Sequence, residues 1–113
     1  MTGKGDVVWA PDPFGSESED RNPRPWLVIS TETLPYPDEE SIAVALTTQS
    51  HHTGSVCVPN EAWKTGNPDR TSHVLPWTVA TLKHDLHVVG KQGRLDDGFV
   101  ETVANETVSY LSG

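Results

Sequence analysis

The chain has 113 residues, 35% of them hydrophobic, and 16 acidic against 8 basic side chains leave a formal net charge of −8 at pH 7. That length suits one domain over residues 1–113 with a modest core; no apolar run approaches the roughly 20 residues that span a bilayer, so no membrane role is expected. The acidic balance disfavours any partner bound by charge alone, long nucleic acid above all.

The acids are spread along the chain and only four lysines accompany them. Such a surface fits either a halophilic protein, whose self-repulsion salt screens, or an ordinary acidic cytosolic one. The opening MTGKGD has no apolar secretory stretch, and the single Cys57 cannot close an internal disulfide. A cytoplasmic protein is therefore expected, with Cys57 as a small buried hydrophobe in a strand.

In chain order, GDVVWAP (5–11) reads as a first strand, ended by Pro11. The stretch 12–23, dense in Gly, Pro, Ser and acids, reads as a loop. WLVIS (26–30) is wholly apolar and predicts a strand buried on both faces. Pro35 and Pro37 keep 31–40 irregular, and SIAVALTT (41–48) is a third strand. GSVCVP (54–59) is a fourth, followed by a loop, NEAWKTGNPDRT. SHVLPWTVATL (72–82) predicts a strand bent or interrupted at Pro76, and HVVGKQGRL one more short strand or two. In the tail, Phe99, Val100, Val103, Ala104, Val108, Tyr110 and Leu111 fit a 3.6-residue period, with Asp96 or Asp97 as the cap. A mostly β domain follows: a small, strongly curved barrel of five to seven strands with a C-terminal α-helix.

Four groups of residues carry candidate chemistry. In RNPRPW, Pro23 fixes the backbone before Arg24 and Pro25 pushes Arg24 toward an extended conformation. The guanidinium is a planar, permanently charged fork suited to a phosphate; a salt bridge to a nearby loop acid is the plainer alternative. At the end of the third strand, Thr47 and Thr48 offer hydroxyls on opposite faces, though threonine also favours strands for its own sake. The histidines at 51, 52, 73, 84 and 87 lack an HExxH pattern or a second cysteine, so no metal is expected. They read as surface or loop groups, His84 and His87 in a turn or strand, and one of the five can serve as a general acid or base. Trp9 and Trp26 are candidate core residues. Trp63 and Trp77 lie beside loops, where a tryptophan stacks bases or fills a dimer interface.

The order of these fragments resembles the PemK/MazF family of toxin endoribonucleases over nearly the whole chain. The fragments are KGDVVWA, then GSE (Gly15, Ser16, Glu17), RPWLVIS, VALTTQ and GRLDDGFVETVANETVSYL. The resemblance implies an SH3-like barrel, a homodimer, an antitoxin partner and metal-independent cleavage of single-stranded RNA without a cofactor. It carries the catalytic arginine onto Arg24, the catalytic threonine onto Thr47 and a candidate general base onto Glu17. Ser16, Thr48, Gln49 and Trp77 are then the expected RNA-binding residues. The chain departs from the family at Pro23, where some members carry histidine. It departs again at Trp77 and Ala80, where a polar and a basic side chain are common. A non-catalytic barrel of the same fold that binds RNA or a protein partner is the alternative reading.

Overall fold

The computed structural model describes residues 2–12, 22–50 and 52–112. Seven antiparallel strands form one curled sheet: β1 (Asp6–Ala10), β2 (Arg24–Val28), β3 (Glu40–Thr47), β4 (Val56–Cys57), β5 (Trp63–Thr65), β6 (His73–Lys83) and β7 (Gly90–Leu95). Their order across the sheet is β4-β6-β3-β2-β1-β7-β5. A single 3₁₀ turn (Asn60–Ala62) precedes β5, a short helix α1 (His84–His87) follows β6, and helix α2 (Asp97–Ser112) ends the chain.

Alternation along each strand divides the apolar residues between two faces. Val7, Leu27, Val44, Leu46, Val74 and Leu95 point to one face, where Val100 and Val103 of α2 close over them. Val8, Ala10, Trp26, Val28, Ala43, Ala80 and Leu82 point to the other, joined there by Val88 just beyond α1. The apolar run of β2 is thus explained: Trp26, Leu27 and Val28 are all buried because both faces are covered. The Trp26 indole N–H donates to the Ala10 carbonyl at 3.1 Å, which satisfies its one polar atom inside the core.

Strand β6 runs unbroken through Pro76, but its pairing with β3 is interrupted there by a bulge. Ala45 pairs with Leu75 but Ala43 with Ala80, so Pro76 to Val79 lie opposite Val44 alone. Two threonines satisfy backbone groups around it. The Thr78 hydroxyl donates to the Leu75 carbonyl at 2.7 Å and accepts from the Ala45 N–H at 2.8 Å. The Thr107 hydroxyl, buried on α2, donates to the Pro76 carbonyl at 2.8 Å. At the far edge β5 and β7 approach closely. A Cβ on Gly66, whose φ is +74°, would run into the Gln92 carbonyl, and one on Gly93 into that of Thr65.

Several expectations are corrected. Cys57 is exposed, because β4 is a two-residue edge strand. The stretch NEAWKTGNPDRT contains the 3₁₀ turn and β5, with Trp63 packed against the core. Trp9 is only half-buried. His84 to His87 form a helical turn, held by Lys83 N–H donating to His87 Nδ1 at 2.9 Å. Helix α2 is capped by Asp96, whose carboxylate accepts from the Phe99 N–H at 3.0 Å. It buries only Val100, Val103 and Thr107, leaving Val108, Tyr110 and Leu111 exposed.

The bulge yields a test. Thr78→Val keeps the side chain's shape but strips partners from two half-buried backbone groups. It should lower unfolding free energy by about 1–3 kcal/mol, read from urea denaturation; an unchanged midpoint would show that water replaces the hydroxyl at no cost.

Candidate functional site

Strand pairing brings together residues that lie far apart in sequence. Arg24 opens β2 and pairs with Ala10 of β1. Between β2 and β3 the register runs Val28 to Ala43, Leu27 to Val44 and Trp26 to Ala45. Continued by two residues, the same register sets Arg24 across from Thr47. Thr47 in turn pairs with His73 of β6, and His73 with Cys57 of β4. Residues directly opposite in antiparallel strands share a face, with Cβ atoms about 5 Å apart. Arg24, Thr47, His73 and Cys57 therefore form a row across four neighbouring strands, on the rim of the face that holds Trp26 and Ala43.

Arg24 is exposed and Thr47 half-buried. The direction of Arg24 comes from strand pairing: the residue lies inside β2, next to a Pro25 that pairs with Trp9, and does not project from a proline-locked loop. The Thr47 hydroxyl accepts from the Gln49 N–H at 3.1 Å as the chain turns out of β3. That bond leaves the hydroxyl hydrogen available to an acceptor. Thr48 and Gln49 follow, both exposed. Ser16 and Glu17 lie outside the described residues.

Trp77 sits on the bulge of β6, 39% exposed, with its ring edge-on to Tyr110 of α2 at 6.1 Å and 75°. Gly54, at φ +90°, turns the β3–β4 loop against this pair. A Cβ there would meet the Tyr110 hydroxyl at 3.0 Å and the Trp77 ring at 3.3 Å. The loop that leaves Thr47 thus passes over the aromatic pair before it enters β4. Ala80, one of the positions that departs from the family pattern, is 3% exposed in the second core, so its small size serves packing.

The opposite end of β1 carries a second polar cluster that sequence reasoning did not find. The Asp6 carboxylate, 4% exposed, accepts from the Gly3 N–H at 2.8 Å and from Arg94 Nη1 at 2.9 Å, and pairs with Lys91 Nζ at 3.0 Å. Burial alone would push its carboxyl up. The Gly3 N–H and the Lys91 and Arg94 cations outweigh that and hold it below the usual range. Nearby, His84 Nδ1 donates to the Asp38 carbonyl at 3.0 Å, which leaves Nε2 to accept from the buried Ser41 hydroxyl at 2.8 Å. Asp6, Ser41, Lys91 and Arg94 line a cavity of about 1090 Å³. Its cations are committed to carboxylates, Lys4 to Glu101 at 2.9 Å included, so it offers an anionic ligand little free charge. Among the described residues no three His, Cys, Asp or Glu side chains converge as a metal site, and no helix is long and apolar enough to cross a membrane.

A model described as "PemK-like, MazF-like toxin of type II toxin-antitoxin system" matches residues 3–109. Comparison with curated proteins finds no match. Among solved structures, the fold is similar to MazF (Form-I) from Deinococcus radiodurans, at 17% identity and a TM-score of 0.76, over 100% of this chain and 98% of that one. MazE-MazF (Form-III) from the same organism gives 16% identity and 0.74, over 98% and 96%. An endoribonuclease in complex with its cognate antitoxin, from a mycobacterial species, gives 18% and 0.67, over 99% and 96%.

The Asp6 cluster makes stability depend on pH. A carboxyl held low in the folded chain contributes stability that is complete above its unfolded value, near 4. That contribution is lost as the pH falls through the lower folded value. Asp6→Asn should cost on the order of 2 kcal/mol at pH 7 and progressively less below about pH 4. Urea unfolding across that range checks this; a gap that stays constant down to pH 2 would rule out the carboxylate's charge as the cause.

Proposed function

Because the chain belongs to the PemK-like, MazF-like toxin family of type II toxin–antitoxin systems, we propose that it is an endoribonuclease that cuts single-stranded RNA at the Arg24–Thr47 rim of the sheet. The observation that carries this reading is the register of β2 and β3, which sets the two family-matched residues side by side on one face. In the reaction, the ribose 2′-hydroxyl attacks the adjacent phosphorus. The products are a 2′,3′-cyclic phosphate and a free 5′-hydroxyl. Charge grows on the two non-bridging oxygens as the new bond forms. The Arg24 fork meets both, and the Thr47 hydroxyl donates to one. These interactions need no metal, so cleavage persists in excess chelator. Glu17 is the family-implied candidate for deprotonating the 2′-hydroxyl.

Binding uses the surroundings of that pair. Thr48 and Gln49 continue past Thr47 as polar contacts, and Ser16 is a further one implied by the family. Trp77, braced by Tyr110, offers a base a ring to stack on, an interaction worth about 1–3 kcal/mol per base. The chain acts as a cytoplasmic homodimer: Leu86 and Val89 after β6, and Val108 and Leu111 on α2, are apolar and exposed on the single chain. Sedimentation at micromolar concentration should give twice the chain mass. An antitoxin segment occupies the same rim and masks it. With a net charge of −8 on the toxin, that segment gains more from apolar contact than from opposite charge.

Two measurements test the reading. Arg24→Lys keeps a charge but loses the fork, and cleavage should fall by about 10²–10³. Arg24→Ala should fall further, and Thr47→Ala should also lose activity. An Arg24→Lys variant as active as the wild type would instead leave Arg24 as a partner for a surface carboxylate, and the non-catalytic binding barrel would become the better account. The second measurement is salt. If the acidic surface is a halophilic adaptation, cleavage should rise between about 0.1 M and 1 M salt, as the screening length shortens from roughly 10 Å to 3 Å. A steady fall is the behaviour of an ordinary nucleic-acid binder and would reject the adaptation.

A further inference from the structure

We propose that His73 is the general acid of the cleavage reaction, supplying the proton that the departing 5′-oxygen takes; the proposal rests on the reading of Arg24 and Thr47 as the phosphate site. His73 is the first residue of β6 and pairs directly with Thr47. Its neighbour Val74 is fully buried in the core beneath α2, and alternation turns His73 to the other face, the one that carries Thr47. His73 is half-buried there, on the side of Thr47 away from Arg24.

That placement matches what the chemistry lacks. Displacement at phosphorus is in line, so the 2′-oxygen enters opposite the 5′-oxygen that leaves. A phosphate seated on the Thr47 hydroxyl has a guanidinium on one flank and an imidazole on the other. Guanidinium cannot release its proton. An imidazolium can. In the step, the O2′–P bond forms and the P–O5′ bond breaks. The imidazolium N–H proton passes to O5′ as the bond opens, giving the 5′-hydroxyl. The 2′-hydroxyl proton passes to the general base and from it to water, and water returns a proton to the imidazole.

Two of the other histidines are already engaged. His84 is fixed between Ser41 and the Asp38 carbonyl, and His87 accepts from the Lys83 N–H. Both lie at the Lys83 end of the eleven-residue β6, at the far end from His73.

The test uses full-length protein and two RNA oligonucleotides. One is unmodified; the other carries a bridging 5′-sulfur at the scissile phosphate mapped with the wild type. A thiolate leaves without a proton. On the unmodified RNA, His73→Gln should cleave about 10²-fold or more slowly than the wild type. On the 5′-sulfur RNA the variant and the wild type should cleave at nearly equal rates, which also demonstrates that the variant is folded. An equal loss on both substrates, or no loss on the unmodified one, overturns the assignment. Arg24→Ala is run alongside and should be slow on both, because its role is at the non-bridging oxygens. If Arg24→Ala cleaves like the wild type, the phosphate site falls and His73 with it. If Arg24→Ala is slow while His73→Gln is fully active, only the His73 proposal falls.

Discussion

Everything at the candidate site depends on the register of β3 against its two neighbours. A strand's side chains alternate, so a slip of one residue against β2 would send Thr47 to the face opposite Arg24. The same slip would place core-facing Val44 and Leu46 on the wrong side of the sheet. Burial therefore enforces the register: Val44 is completely buried beneath α2 and Ala43 completely buried on the other face. Neither can exchange places without exposing apolar surface or crowding a small site. The position of two polar groups on the rim is thus held by apolar groups a few residues inward.

The bulge in β6 serves the same end from the other neighbour. Pairing on one side of it runs Ala45 to Leu75, Leu46 to Val74 and Thr47 to His73; beyond it, pairing resumes at Ala43 and Ala80. The extra residues are absorbed in the middle of the strand, so both ends keep their own alignment. What projects from the bulge is Trp77, and the carbonyl of Pro76 behind it is tied to α2 through Thr107. An irregularity in a strand next to β3 thereby produces an exposed aromatic packed between α2 and the β3–β4 loop. At the other end of β1, Asp6 gathers the turn at Gly3 and the charges of β7, fastening the sheet where the rim residues are absent.

Much of this was legible in the sequence, for identifiable reasons. Apolar runs bounded by Pro and Gly located β1, β2, β3 and β6, and the 3.6-residue spacing with Asp96 at its head located α2. Ordered fragments such as RPWLVIS and VALTTQ pointed to the family, and the match over residues 3–109 agrees. The features that escaped are those a local pattern cannot carry. Strand β5 is three residues long and lies among polar residues, Gly and Pro. Helix α1 is a single turn, too short to show a period. Asp6 finds Arg94 across 88 residues of sequence; only an acid at the head of an apolar strand hinted at a need for a partner. Cys57 was expected inside because its neighbours are apolar, but a two-residue edge strand shelters little. Spacing also overstated the helix stripe: Val108 and Leu111 stay exposed, and Tyr110, itself exposed, meets the sheet only through the Trp77 ring. Arg24 and Thr47 could be nominated from motif alone. Their adjacency could not, since register is a long-range property.

The contact between Gly66 and Gly93 bears on how such a chain can vary over time. Most tight contacts in a core can drift: one side chain grows while its partner shrinks, and the pair passes through a tolerable intermediate. Here both partners already have no side chain, and the obstacle to each is the other strand's backbone. No compensating reduction exists, and the positive φ of Gly66 removes the option from a second direction. At the edge where β5 meets β7, a side chain on either glycine must therefore displace the facing backbone. Change at this edge requires the two strands to separate, whereas the exposed residues of α2 meet no such obstacle.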